Sequence, residues 1–377
     1  VMQLLAFLVV AAYAWVVLKA RSAWRTLPVT RPAMDIPPVF FTVIIPVRNE
    51  AENILHLLQD LENQQYPTTH YEVIVVDDYS EDSTPHLVKQ FQEKSALNLR
   101  LLFLSTFPGK RQKKAALETG INHAKGDWII CTDGDCRVSP LWLSSFNHIR
   151  YQTQAKMVSG PVMYAPTKTI WQQLQALEFS ALIGMGAASI ALQKPTMCNG
   201  ANLAYEKEAF YEVNGFEGNK QIPSGDDEFL LHKMHQRFPG KISFLKAKEA
   251  IVSTPAAQAL STFFQQRIRW ASKWKHYTSS SSQLLALLVL AANVFVLTAL
   301  AKAVGGTWSW WYFLLVIGLK LGADALLLFQ VLRFFGKKKL LSLIWLLQLV
   351  YVPYIVLTSV LGLTGRYQWK GRQLKTA

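Results

Sequence analysis

Two carboxylates separated by one glycine close a short apolar run in Trp128-Ile129-Ile130-Cys131-Thr132-Asp133-Gly134-Asp135-Cys136. The apolar residues read as a buried strand. A glycine where the strand ends lets the chain bend, so Asp133 and Asp135 can reach one point at the strand's carboxyl edge. That edge is where open α/β sheets bind ligands. Paired carboxylates there suit a hard divalent cation, Mg²⁺ or Mn²⁺, which takes oxygen ligands and brings substrate phosphates with it. A polar turn after a strand is the plainer alternative. Further charged stretches occur at Asp77-Asp78, at Asp226-Asp227-Glu228 and at Gln266-Arg267-Ile268-Arg269-Trp270. The second opens an apolar helix, where carboxylates also serve as dipole complements. The third precedes a long apolar segment, where basic residues and tryptophan also anchor a chain at a membrane interface.

The elements that must position these residues alternate. Strands are expected over 40–45, 72–76, 99–104 and 128–131, and helices over 54–62, 84–94 and 113–124. Thr84-Pro85 is a good helix start. Four strand–helix alternations predict an α/β fold with a mostly parallel sheet. No Gly-x-Gly-x-x-Gly follows the first strand, which argues against a dinucleotide fold.

Long apolar segments flank this pattern. Residues 1–18 carry no charge and are followed by Lys19, Arg21, Arg25 and Arg31. They are expected to be an uncleaved transmembrane anchor with the following chain in the cytosol. Residues 19–38 are expected to be a linker, 39–260 the catalytic domain and 261–283 an interfacial segment. About three spans are expected within 284–363, then a basic tail over 364–377. Ile170 to Leu192 is either core or an amphipathic helix on the membrane surface, with the surface favoured. Lys320 and Asp324, four apart, are expected to pair along a helix or to face a polar cleft. One anchor and three later spans put the C-terminus outside, whereas Arg366, Lys370, Arg372 and Lys375 argue that it stays inside; Pro353 marks the last segment as the candidate for an incomplete span.

In all, 51% of the 377 residues are hydrophobic, and the net charge is +14. With spanning segments present, that charge suits an anionic membrane surface or phosphate-bearing substrates rather than nucleic acid. Cys131, Cys136 and Cys198 have neither metal-ligand spacing nor a disulfide framework, and fit a reducing compartment.

Taken together, the stretches Ile45-Pro46-Val47-Arg48-Asn49-Glu50, Val76-Asp77-Asp78-Tyr79-Ser80, Lys113-Lys114-Ala115-Ala116-Leu117, Asp133-Gly134-Asp135, Asn199-Gly200-Ala201-Asn202, Gly225-Asp226-Asp227 and Gln266-Arg267-Ile268-Arg269-Trp270 have a recognisable order and spacing. They resemble the family 2 glycosyltransferases with the type A fold, in the membrane branch that holds ceramide glucosyltransferases and hyaluronan and cellulose synthases. The resemblance implies a Rossmann-like nucleotide-sugar domain with transmembrane helices at both ends. It implies an inverting enzyme that uses Mg²⁺ or Mn²⁺ and moves a sugar from a UDP- or GDP-sugar to a membrane lipid. Pro46, Glu50, Asp78, Lys113 and Asp133 would line the nucleotide pocket. Asp133 and Asp135 would hold the sugar diphosphate through the metal. Asp227 would be the general base, beside Asp226, where the family usually has Glu. Gln266, Arg269, Trp270 and Asn202 would serve the diphosphate and acceptor end. The usual Gly-Lys before the helix is Gln112-Lys113 here, so Lys110 of Gly109-Lys110 is an alternative phosphate partner. The implied location is a bacterial inner membrane with the catalytic domain on the cytoplasmic side. A processive polysaccharide synthase and a non-catalytic membrane scaffold are the competing expectations.

Overall fold

Strands β1 (Phe41–Val47), β2 (Tyr71–Asp77), β3 (Leu99–Phe103), β4 (Trp128–Cys131), β5 (Met157–Ser159), β6 (Val162–Tyr164), β7 (Leu203–Glu206), β8 (Ile242–Phe244) and β9 (Val252–Thr254) carry the α/β part of the chain. The structure is a computed structural model and describes residues 1–32, 35–276, 279–362, 366–369 and 372–375. Tyr277 and Lys370 lie outside the described residues. The chain divides into two compact units.

The first unit holds 28–165, 197–255 and 368–377. Its main sheet has the order β3-β2-β1-β4-β7-β5-β8. The four leading strands are mutually parallel, β7 runs antiparallel to β4 and β5, and β8 is parallel to β5. Strands β6 and β9 form a separate parallel pair. β2 is buried along its whole length, as expected of a sheet covered on both faces. The expected helices appear as Ile54–Glu62, Thr84–Lys94 and Gln112–His123. Pro46 is tolerated in the central strand β1 because pairing with β4 stops at Ile44–Cys131, so no ladder bond is required of its nitrogen on that side.

The second unit holds 1–27, 166–196 and 256–367. Its helices are Met2–Thr26, Ile170–Ala191, Leu260–Ala271, Ser280–Val304, Trp310–Phe334 and Ile344–Gly362. Among the described residues, five helical segments are long and apolar enough to cross a membrane: these helices apart from Leu260–Ala271, with the last counted from Lys338. The first helix runs past the expected anchor end at 18 and takes in Lys19, Arg21 and Arg25, so the expected 19–38 linker is helical to Thr26.

Ile170–Ala191 corrects two expectations. It belongs to the helical unit rather than to the α/β unit that surrounds it in sequence. It is also a core helix rather than an amphipathic surface helix: 78% of its most apolar window is buried, against 22–33% in the other four. Its polar residues have internal partners. Gln172 and Thr169 form a capping box at its start. Gln175 exchanges two hydrogen bonds with the main chain of Ala257. The carboxylate of Glu178 is gripped by the guanidinium of Arg267 and accepts from the Tyr354 hydroxyl.

Candidate active site

Parallel strands in register deliver the predicted residues to one sheet edge. Val47 of β1 lies opposite Asp77 of β2, and β4 pairs with β1 up to Cys131. The residues that leave these strands are therefore Arg48-Asn49-Glu50, Asp78-Tyr79 and Asp133-Gly134-Asp135. Gly134 sits in a tight spot: a Cβ there would stand 3.0 Å from Val47 Cγ1 and Glu50 Cγ, so either side chain would have to give way slightly. Glu50 is buried; its main-chain N–H donates to Thr84 Oγ1 at 2.8 Å and its carboxylate accepts from Asn53 at 3.0 Å.

Lys113, one residue into its helix, reaches this edge. Its Nζ donates to Asp133 Oδ1 at 2.6 Å and lies 3.6 Å from Asp226 Oδ2. Burial alone would lower the ammonium's pKa, but Asp133 and Asp226, with Asp227 adding to them, hold it above the ordinary lysine range. The other lysine candidate, Lys110, pairs with Glu118 at 3.6 Å. Sequence spacing could not choose between the two; the structure joins Lys113 to the carboxylates.

Asp226 and Asp227 open the Asp226–Arg237 helix, entered through Gly225 in the left-handed region at φ +80°. Asp227 Oδ2 accepts from the Gly200 N–H at 3.0 Å and Oδ1 from the Glu228 N–H at 2.8 Å. Gly200 allows that approach, since a Cβ there would lie 3.2 Å from Asp226 Oδ2. The Asn-Gly-Ala-Asn stretch thus orients the acidic helix start.

Asn202 from the same stretch corrects an expectation. It is fully buried, its Oδ1 accepts from Trp142 Nε1 at 3.0 Å, and its Nδ2 donates to the carbonyls of Pro161 and Ala250, each at 2.8 Å. Its amide is used up inside the α/β core, so it scaffolds the loop instead of facing a substrate.

Gln266, Arg269 and Trp270 lie on the Leu260–Ala271 helix of the other unit. There the buried arginine is Arg267, held by Glu178 and standing over the rings of Trp270 at 4.3 Å and Phe263 at 4.6 Å.

Sequence reasoning missed two arginines at Asp78. Arg48 Nη1 donates to the Asp78 carbonyl at 3.1 Å, and Arg372 Nη1 donates to Asp78 Oδ2 at 2.7 Å. The only sequence signal for Arg372 was the charge of the tail.

The donor set fits a divalent cation. Asp133 and Asp135 offer hard carboxylate oxygens on either side of Gly134, where a Cβ would press against Val47 and Glu50. Among the described residues, no three His, Cys, Asp or Glu side chains form a ready cage. Mg²⁺ commonly binds through one or two carboxylates with substrate phosphates completing its shell. The thiols are unsuited to nucleophilic chemistry: burial pushes Cys131 up to about 12 and Cys136 well above its usual value.

The architecture is shared with solved structures. A mannosyltransferase from Pyrobaculum calidifontis, solved with GDP-Man and Mn²⁺, superposes over 94% of this chain and 99% of its own, with a TM-score of 0.60 and 19% identity. Glycosyltransferase AglE of Haloferax volcanii is 38% identical over 125 residues, which is 33% of this chain and 40% of that protein. The poly-beta-1,6-N-acetyl-D-glucosamine synthase of Staphylococcus aureus is 25% identical over 234 residues, which is 61% of this chain and 53% of that protein. The matched stretches thus span about half or less of these curated relatives. The model of glycosyl transferase family 2 matches residues 42–213. That of glycosyl transferase family group 2 matches residues 128–363, from the strand carrying Asp133 through the last apolar helix, and the chain belongs to that family.

Proposed function

We propose that this protein is an inverting, metal-dependent glycosyltransferase that moves a sugar from a nucleotide-diphosphate donor to a membrane lipid. The observation that carries this is the meeting of Lys113 with Asp133 and Asp226 at the carboxyl edge of a parallel sheet. Transfer needs a leaving diphosphate to be stabilised and an acceptor hydroxyl to lose its proton. Lys113 is a fixed positive charge for the first task; such preorganised charge acts without reorganising as the bond breaks. Asp227 is the base for the second. Its two oxygens are aimed by the Gly200 and Glu228 N–H groups, so its orientation is set before the acceptor arrives. Asp133 and Asp135 would hold Mg²⁺ or Mn²⁺, which would add positive charge beside the diphosphate. Pro46, Glu50 and Asp78 would border the nucleotide. With Asp227 assigned as the base and no side chain assigned as a nucleophile, attack comes from the acceptor on the face opposite the leaving group and the anomeric centre inverts.

The lipid acceptor is supported by the five helices, among the described residues, that are long and apolar enough to cross a bilayer; such helices would hold the chain where lipid hydroxyls and phosphates are concentrated. A processive polysaccharide synthase is the second reading, favoured by the likeness to the poly-beta-1,6-N-acetyl-D-glucosamine synthase of Staphylococcus aureus.

Purified protein is incubated with a panel of labelled UDP- and GDP-sugars, Mg²⁺ or Mn²⁺ and total membrane lipid, and products are sized by mass spectrometry. A lipid carrying one sugar is expected, with transfer lost in a chelator. A long polymer that lengthens with time would select the synthase, full activity in chelator would remove the metal, and no sugar release from any donor would remove the enzyme.

A further inference from the structure

The Asp78–Tyr79 turn is unusual in three ways at once. Three non-glycine residues around it sit in the left-handed region: Asn49 at φ +52°, Tyr79 at +57° and Gln112 at +76°. They are tied together, since the Gln112 N–H donates to Asp78 Oδ1 at 3.2 Å and Asn49 exchanges hydrogen bonds with Ser80 and Glu81. Such conformations persist only where the surroundings impose them, and they concentrate at ligand sites. Second, three guanidinium groups converge on the turn. Arg48 donates to the carbonyls of Asp78 and Tyr79 and pairs with Glu81, Arg111 stands 5.3 Å from the Tyr79 ring, and Arg372 stands 6.0 Å from the same ring. Third, the last of these arrives from the far end of the chain, in the strand Arg372–Lys375 that pairs with Arg366–Trp369.

Arg372 holds Asp78 with two donors, Nη1 to Oδ2 at 2.7 Å and Nη2 to the main-chain carbonyl at 3.2 Å. The Asp78 side chain is 3% exposed and that of Arg372 is 21% exposed. One Asp78 oxygen is therefore committed to Gln112 and the other to Arg372, and of the two side chains the guanidinium is the one solvent reaches. An anionic ligand approaching a bare buried carboxylate would be repelled; approaching this pair, it meets a cation with further N–H donors in a planar fork suited to phosphate.

We propose that Arg372 is a donor-binding residue, contacting the nucleoside diphosphate directly, and that Asp78 is a positioning residue that holds the guanidinium in place. This rests on the nucleotide-sugar function proposed above. It gives the C-terminal segment a part in the donor site and moves the expected contact of Asp78 one residue outward.

The test is calorimetric titration of UDP and GDP, with Mg²⁺, into the purified full-length protein and into Arg372→Ala, Arg372→Lys, Asp78→Asn and Lys113→Ala, each checked for an unchanged melting midpoint. Arg372→Ala is expected to weaken the preferred nucleotide at least tenfold. Arg372→Lys, which keeps the charge and loses the fork, should recover part of the loss and serves if the alanine variant does not fold. Asp78→Asn should weaken binding less, and combined with Arg372→Ala should add little, as residues acting through one contact do. Tighter binding in Arg372→Ala would make the arginine a competitor for Asp78, and unchanged binding would make it a bystander; either overturns the assignment. Lys113→Ala separates the two levels. If it weakens binding and Arg372→Ala does not, the assignment of Arg372 fails alone. If the wild type binds neither nucleotide, or no variant changes binding, the nucleotide site itself is misplaced and Arg372 falls with it.

Discussion

Each unit of this chain sets a lysine against acidic side chains, and the two clusters are built for different ends. In the helical unit, Lys320 is completely buried. Its Nζ donates to Asp324 Oδ2 at 2.8 Å and Gln348 Oε1 at 2.9 Å and lies over the rings of Tyr13 and Tyr351. Asp324 in turn accepts from Tyr13 at 2.7 Å and from Gln348 at 3.0 Å. Donors and acceptors are matched within the cluster, and its members come from three long helices that it ties together. In the α/β unit, Lys113 keeps 19% exposure and its closest partner, Asp133, keeps 38%. Its carboxylates come from a strand end and a helix start, and Asp133 opens to solvent at the sheet edge where ligands bind. A closed polar cluster in apolar surroundings fixes helix register. An open one, left partly hydrated, can trade water for ligand. Asp226 and Asp324 are alike at 12% exposure; what separates the clusters is that Lys113 and Asp133 keep contact with solvent while Lys320 has none.

The largest effect that would sharpen this contrast is at Asp227. Asp227→Asn removes the basic oxygen and one of two main-chain hydrogen bonds. Transfer is expected to fall by roughly 10²–10⁴-fold, the usual contribution of a positioned base, while nucleotide binding is kept. Single-turnover rates and donor titration measure the two separately. If Asp226→Asn is the inactive variant and Asp227→Asn transfers normally, the base belongs on the residue beside Lys113.

Next comes Lys113→Ala, which leaves Asp133 and Asp226 facing the donor without their cation. A loss of about 10²–10³-fold in kcat/KM is expected, the scale of removing one preorganised charge from a reaction centre. Lys113→Arg should retain part of the activity. Lys110→Ala, whose partner is Glu118, should change kcat/KM less than threefold. Equal losses at both lysines would mean that the open cluster extends further along the loop than its ion pairs indicate.

The two clusters were not equally legible. β4 and its two carboxylates stood out because an apolar run stopping on Asp-Gly-Asp is a local pattern. The strands and helices around it were readable for the same reason. Asn202 was misjudged because its neighbours in sequence are turn residues, whereas its partners Trp142, Pro161 and Ala250 are distant in the chain. The helix Ile170–Ala191 was misjudged because Gln172, Gln175 and Glu178 suggested a wet face. Their partners, a preceding threonine, the Ala257 main chain and Arg267, turn those groups inward. The link of Arg372 to Asp78 left no trace beyond a basic composition. Polar residues announce chemistry in a sequence, but whether they meet solvent or one another is decided by contacts that no local pattern encodes.

Within the helical unit, Lys320→Met strands Asp324 without its cation. Breaking a buried pair from one side costs about 3–5 kcal/mol. The expected readout is a lower Tm in detergent, with donor KM unchanged at temperatures where the variant is folded. The double variant Lys320→Met/Asp324→Leu should recover most of the loss, because apolar replacements of a whole buried pair are often neutral or better. Failure of the double variant to recover would give the charges a task beyond holding helices.

The smallest effect tests whether the cluster is as closed as its hydrogen bonds imply. Gln348 sits across from the pair, its Oε1 accepting from Lys320 and its Nε2 donating to Asp324. Gln348→Leu removes both bonds yet leaves the direct Lys320–Asp324 contact and the Tyr13 hydroxyl on the carboxylate. Hydrogen bonds between membrane helices average only about 0.6 kcal/mol, because the separated helices also find partners. A Tm shift of a few degrees at most is therefore expected, and kcat/KM for donor should match the wild type. A variant that melts normally yet transfers tenfold more slowly would break the contrast between the clusters. Lys320 and Asp324 would then belong to the working machinery, for the helix register they set would be intact and only their polarity toward a ligand would have changed.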